Sequence, residues 1–326
     1  MAETWTLAAA LNSALGDSLS DDPRVLVFGE DVGRAGGIFG VTTGLQERFG
    51  STRVFDTPIS EAGIAGAAVG LAFAGWKSVV EMQCGAFSYP AFEQVVDHIA
   101  KMRGRVRGRI DMPITIRMPA FGGLNSKEQH GESPETYLVH TAGLKVGVPS
   151  NAADAYRMMR AAIADPDPVV FLEPKALYRE EEETAPRSDE PGIGKGTVVR
   201  EGDACTIVCY GAMVRRCQEA AGMLASEGVD VRVVDLRWLS PFDEQLLGRC
   251  ASETRRIVVV HEAPRMLGFG AEVAATAMEL GFDRLVAPVA RVTGWDVPYP
   301  PASLEDAYQP SVERIVEAVR RTVNHR

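Results

Sequence analysis

The sequence is poor in cysteine, short of basic charge and free of long apolar runs, and each shortage removes a class of function. Its 326 residues include five cysteines, Cys84, Cys205, Cys209, Cys217 and Cys250. The number is odd and no two form a C-x-x-C pair, so neither a disulfide framework nor a zinc site is signalled. Buried, reduced thiols fit this usage. Basic residues number 34 against 44 acidic ones, a net charge of −10, which argues against a nucleic-acid binder. The one basic run, Lys101 to Arg109, keeps a helical phase and reads as cations at a helix C-terminus. The most apolar run, Ala62 to Trp76, is too short and too rich in glycine to span a bilayer. Glu3 and Asn12 interrupt the start, so no secretory leader is read there. A bacterial cytoplasmic protein, bound to neither membrane nor nucleic acid, is the expectation.

Familiar site motifs are also missing. No G-x-G-x-x-G follows a strand, since Gly192-Ile-Gly-Lys-Gly-Thr197 fails at its last position. Gly70 to Lys77 imitates a P-loop, but its lysine comes one place late and no Ser or Thr follows. Neither H-E-x-x-H nor G-x-S-x-G occurs. A self-contained nucleotide enzyme or hydrolase is poorly supported.

What the chain has is alternation. Short apolar strands at Val25–Phe28, Arg53–Phe55, Ser78–Met82, Ile114–Met118, Lys145–Val148 and Pro168–Leu172 are separated by helical patterns, among them Thr42–Phe49 and Ala152–Ala164. Pro90 can open another helix, with Ala91, Val95, Ile99 and Met102 as its apolar stripe. That alternation predicts an α/β fold with a mainly parallel, doubly wound sheet. A second α/β unit follows, with strands at Cys205–Tyr210, Val231–Asp235, Arg256–His261 and Val289–Val292. The expected domains are residues 1–183 and 196–326, joined by a linker at 184–195. The acid run Glu180–Glu183 reads as a solvated stretch.

The centre of this pattern is Asp56-Thr-Pro-Ile-Ser-Glu61. Ser60 can cap a helix, Glu61 falls in its first turn, and the rest of that helix is nearly all Gly and Ala. Glu61 is either an ordinary first-turn acid or a partly desolvated carboxylate sharing a proton with a heterocycle. Four further positions could carry chemistry. Phe87 follows a strand's carboxyl end, where α/β sheets hold ligands, or is a core aromatic. His130 lies in a long polar loop, Ala120 to Glu135, of a length often put to functional use. Glu30 and Asp31 follow the first strand and either bind a ligand or cap the turn. His261 ends a strand of the second unit.

The order of these pieces resembles the beta subunits of the thiamine-diphosphate-dependent 2-oxo acid dehydrogenases. Gly29-Glu-Asp-Val with Gly37-Ile-Phe39, Arg53 through Glu61, Phe92-Glu-Gln94, Gln129-His130, Pro168 through Pro174 and Arg291-Val-Thr-Gly294 all match in sequence. Ser133-Pro-Glu135, Glu173 through Arg179, His261-Glu-Ala-Pro264 and Asp296-Val-Pro-Tyr-Pro300 look most like branched-chain members. Pyruvate or acetoin members are the alternative, and a non-catalytic scaffold a distant one.

The resemblance implies a transketolase-like pyrimidine-binding domain followed by a smaller transketolase C-terminal-like α/β domain. It implies that Glu61 hydrogen-bonds the aminopyrimidine of thiamine diphosphate and favours its imino form. Phe87 would lie against that ring, with Ile59 and Glu30 lining the pocket, and His130 would assist acyl transfer to a lipoyl group. The turn Ala162–Asp167 resembles a structural potassium site, with Ala162, Asp165 and Asp167 as ligands. The family's Gly-Asp-Gly…Asn motif for magnesium and diphosphate is missing; Gly202-Asp-Ala204 and Gly16-Asp-Ser18 both fail. The implied partners are therefore an alpha subunit in an α2β2 heterotetramer, the lipoyl domain and core of an acyltransferase, and the 2-oxo acid substrate.

Overall fold

A computed structural model describes residues 4–125, 128–183 and 192–325. The chain divides into two compact units. The first is Met1–Ala120 with Tyr137–Ile193, and the second is Phe121–Thr136 with Gly194–Arg326. The long loop therefore groups with the second unit and not with the strands that flank it in sequence. Of the expected linker, residues 184–191 lie outside the described residues. No helix of the described residues is long and apolar enough to cross a membrane.

The strands of the first unit are β1 (Thr4–Thr6), β2 (Val25–Gly29), β3 (Val54–Asp56), β4 (Lys77–Glu81), β5 (Ile114–Ala120), β6 (Lys145–Gly147), β7 (Val169–Pro174) and β8 (Glu181–Glu183). Six of them lie side by side in the order β6-β7-β5-β4-β2-β3, every pairing parallel. Their residues are almost wholly buried, as a parallel sheet covered on both faces requires. The helices are α1 (Leu7–Asp21), α2 (Leu45–Phe49), α3 (Glu61–Phe73), α4 (Ala100–Arg105) and α6 (Ala152–Ala164), with α5 (Glu135–Val139) contributing only its residues from Tyr137 on. Thr6 caps α1 by accepting from the Ala9 N–H, and Asn151 caps α6 by accepting from Asp154.

Three local differences from the sequence reading have physical causes. Helix α2 begins only at Leu45, because Gly44 at φ 76° breaks the preceding turn. The helix expected from Pro90 forms, with Ala91, Val95 and Ile99 buried, but it is irregular: a 3-10 turn, Gly85–Ala91, precedes it and a π-helical turn, Gln94–Ile99, leads into α4. Proline can offer no N–H to continue an α-helical ladder through that point. The acid run forms β8, antiparallel to β1. Its Glu182 carboxylate accepts from the Ala152 N–H, the first backbone donor of α6, so it is more than a solvated face.

In the second unit, β9 (Thr197–Arg200), β10 (Cys205–Cys209), β11 (Val231–Asp235), β13 (Ile257–Pro264) and β14 (Ala290–Gly294) form a sheet ordered β14-β13-β10-β11-β9. Only β9 runs antiparallel. A short strand β12 (Trp238–Ser240) and helices α7 (Met213–Ser226), α8 (Glu244–Glu253), α9 (Gly270–Gly281), α10 (Glu305–Tyr308) and α11 (Val312–Val323) complete it. Its core joins Ile207, Val233 and Val258 of the sheet to Cys217 and Leu224 of α7 and Ile315 and Val319 of α11.

Candidate functional site

The carboxyl ends of β3, β2 and β4 gather three of the candidate residues. These strands are adjacent, and the crevice outside such ends is where α/β sheets hold ligands. Glu30 follows β2 directly and is buried. Its Oε1 has no hydrogen-bond partner among the described residues. Burial, then the negative charges of Glu61 and Asp31, push its carboxyl above the ordinary range. Glu61 opens α3, half-buried, with Ser60 capping the helix through the Gly63 N–H at 3.3 Å. Phe87 follows β4, half-buried on the 3-10 turn, its N–H donating to the Cys84 carbonyl at 3.0 Å. Ile59, between β3 and α3, is 83% exposed.

The loop after β2 is shaped by an acid that the sequence reading did not single out. Asp56, at the end of β3, accepts from the backbone N–H groups of Gly33 at 2.6 Å and Arg34 at 3.2 Å. The Gly29 carbonyl accepts from the Thr57 N–H at 3.0 Å. The approaches to Glu30 and Glu61 are thereby tied to each other.

Beneath this lies a second group the sequence reading missed. Arg117 of β5 is 1% exposed and donates two bonds to Glu173 of β7, at 2.7 and 2.8 Å. Its remaining arm donates to Glu81 of β4, and the Tyr178 hydroxyl donates to Glu173. Burial pulls the guanidinium's proton affinity down, but the charges of Glu173 and Glu81 hold it above its ordinary value. Burial pushes Glu81 up; Arg117 opposes that, and Glu173 adds to it. Charged residues inside apolar strands were the available signal, because such groups are buried only when paired.

Helix α3 is apolar on every side, yet Gly63, Ala67 and Gly70 are exposed. A Cβ added at Gly70 would meet nothing, and one at Gly66 would reach only Gln94, at 3.5 Å. Phe73 and Trp76 at its far end are also exposed. Tyr89 and Phe92 pack edge-on against the exposed Tyr137.

At the C-terminus of α6, the turn read as a potassium site already carries cations of the chain itself. The Lys145 ammonium lies 2.7 Å from Asp165 and 3.0 Å from Asp167. Arg103 pairs with Asp167 and with Asp111. The Ala162 carbonyl accepts from the Asp165 N–H at 3.4 Å.

The structure places His130 in the second unit, on a 3-10 turn Glu128–Gly131. The loop is closed by the Phe121 N–H donating to the Glu132 carbonyl at 3.0 Å. At its end Glu135, fully buried, accepts from the Tyr210 hydroxyl at 2.8 Å. Burial pushes Glu135 up to about 7, against the lowering effect of that bond. His261 is wholly buried beside the Tyr210 ring, with centroids 6.2 Å apart. Burial, with Arg291's charge second, brings it down to about 4, so its ring is neutral and packed. A Cβ at Gly268 or Gly270 would come within 2.6 Å of that ring.

Comparison with known proteins agrees with this architecture. Residues 3–181 match the pyrimidine-binding domain of transketolase, and residues 194–315 match the transketolase C-terminal domain. The chain is 48% identical over 322 residues to the 3-methyl-2-oxobutanoate dehydrogenase subunit beta of Mycobacterium tuberculosis, covering 98% of this chain and 92% of that one. It is 45% identical over 321 residues to the pyruvate dehydrogenase E1 component subunit beta of Leifsonia xyli, covering 98% and 95%. Among solved structures it is similar to a split-gene transketolase described as an inactive beta4 tetramer, with a TM-score of 0.81, 25% identity and 98% of each chain covered. Sequence order, sheet topology and near-complete coverage thus agree, and the chain belongs to the family of 2-oxo acid dehydrogenase beta subunits, built on the transketolase fold.

Proposed function

We propose that this chain is the beta half of a branched-chain 2-oxo acid dehydrogenase, working with thiamine diphosphate and an alpha subunit in an α2β2 heterotetramer. The observation that carries the reading is the pair Glu30 and Glu61 at adjacent strand ends. A buried carboxyl oxygen without a partner among the described residues, and with raised proton affinity, suits a heterocycle that needs protons held at its nitrogens. When bound, thiamine diphosphate supplies a carbon nucleophile for the 2-oxo carbon and a sink for the electrons released with carbon dioxide. Glu61, in the first turn of α3, would hold a proton at the aminopyrimidine ring nitrogen. Phe87 offers a ring face to the pyrimidine. Ile59 and Glu30 line the same pocket.

The alpha subunit holds magnesium and diphosphate, for which this chain has no Gly-Asp-Gly…Asn sequence. The open Gly66/Gly70 face of α3 and the exposed aromatics beside it support a closely packed subunit contact there. His130 assists acyl transfer to the lipoyl domain of the acyltransferase core. The branched-chain assignment is supported by Ser133-Pro-Glu135 and Asp296-Val-Pro-Tyr-Pro300, and by the name of the 48%-identical relative. The pyruvate alternative is supported by the 45%-identical relative.

The test is thiamine-dependent decarboxylation by the co-expressed alpha and beta chains, with an artificial electron acceptor. 3-Methyl-2-oxobutanoate should exceed pyruvate in kcat/KM by tenfold or more, about 1.4 kcal/mol in the transition state. A reversed preference would move the chain to the pyruvate type. Glu61→Gln should abolish turnover while leaving assembly intact; full activity in that variant would support a scaffold.

A further inference from the structure

We propose that Tyr299, Glu262 and Glu305 form a clamp that positions the His130 loop, acting on acyl transfer through that histidine. The proposal rests on the reading of His130 given above. All the contacts lie within the second unit. The Glu262 carboxylate accepts from the Gly122 N–H at 3.0 Å and from the Gln309 amide at 3.2 Å. Glu305 accepts from the Gly123 N–H and, at 2.6 Å, from the Tyr299 hydroxyl. Two consecutive backbone donors at the loop's start are thus captured by two carboxylates that are 4% and 1% exposed.

The other side of the loop is fixed by shape. Gly131, next to His130, lies so close to the Tyr299 ring that a Cβ there would run into it, and a Cβ at Gly122 would meet the Tyr299 hydroxyl. One aromatic side chain therefore touches both limbs of the loop, and only glycine fits where it does so. His130 itself is half-buried, on the same turn as Gly131. A loop of polar residues has little apolar surface to hold it. Hydrogen bonds donated by the Gly122 and Gly123 N–H groups to buried acids fix the backbone at the start of the loop.

The test uses the assembled enzyme and separates two rates: decarboxylation with an artificial acceptor, and reductive acylation of an isolated lipoyl domain. Hydrogen exchange of the 121–136 segment and thiamine diphosphate affinity are measured alongside. Tyr299→Ala should speed exchange in 121–136 and slow acylation about tenfold, as expected for a misplaced catalytic group, with decarboxylation and cofactor affinity little changed. Tyr299→Phe keeps the ring and should restore most of the acylation rate. Equal loss of both rates, or unchanged exchange, would overturn the clamp. If Tyr299→Ala does not assemble, Glu305→Gln must show the same selective slowing, about fivefold for one weakened bond; no slowing overturns the proposal. His130→Ala separates the two claims. If it leaves acylation intact, the role of the histidine fails and takes this proposal with it. If it slows acylation while Tyr299→Ala does not, only the clamp fails.

Discussion

Each unit holds a group of three buried side chains or acids, and the two groups are built in opposite ways. In the first, Glu81 and Glu173 meet a full positive charge, the Arg117 guanidinium, and all three side chains are at most 3% exposed. In the second, Glu135, Glu262 and Glu305 are as deeply buried, but their described hydrogen-bond donors are neutral: tyrosine hydroxyls, an amide and backbone N–H groups. A paired charge in low dielectric is fixed, because removing either partner strands the other. Glu135, held by the neutral Tyr210 hydroxyl, keeps the option of taking up a proton and does so near neutrality. The first arrangement braces a sheet beneath the proposed cofactor site. The second holds a loop.

The largest effect that could break this contrast comes from Arg117→Met. Leaving two buried carboxylates without their cation should cost about 3–5 kcal/mol, read as a large fall in the melting temperature of the assembled enzyme. A melt within a degree of the parent would mean that Glu81 and Glu173 share a proton and need no arginine.

Next comes pH. The ordinary value for Glu135 is 4.5 and the folded value about 7. Between those values the folded chain keeps a proton that the unfolded chain has lost, so stability falls as pH rises through that window. The full change is on the order of 3 kcal/mol. His261 slopes the other way: its folded value is about 4 against 6.5, so its contribution is lost as pH falls from 6.5 toward 4. Glu135→Gln should remove the first slope and leave the second. A pH–stability profile identical to the parent's would show that Glu135 is ionised in the fold.

The smallest effect concerns the turn at 162–167, where Lys145 is about a quarter exposed. Ion pairs of that kind contribute under about 1 kcal/mol. Because the chain's own cations occupy both acids, replacing potassium by sodium should leave the melting temperature unchanged. A rise specific to potassium would establish an ion at that turn.

The sequence by itself determined the alternation of strands and helices, the Ser60 cap with Glu61 behind it, and the extent of α6, which runs over Ala152–Ala164 as its periodicity predicts. These depend on neighbours within a few residues, so local pattern contains the cause. The ordered motifs also made the family legible. Tertiary structure alone decided which distant residues meet. Arg117 reaches Glu81 across 36 residues and Glu173 across 56, and β1 pairs with β8 across most of the first unit. It alone detached Phe121–Thr136 from its neighbours in sequence and gave the His130 loop to the second unit. No local pattern encodes that choice, because the Gly122 and Gly123 donors find their carboxylates 140 and 182 residues away. A backbone polar group leaving water must find a partner wherever the fold supplies one.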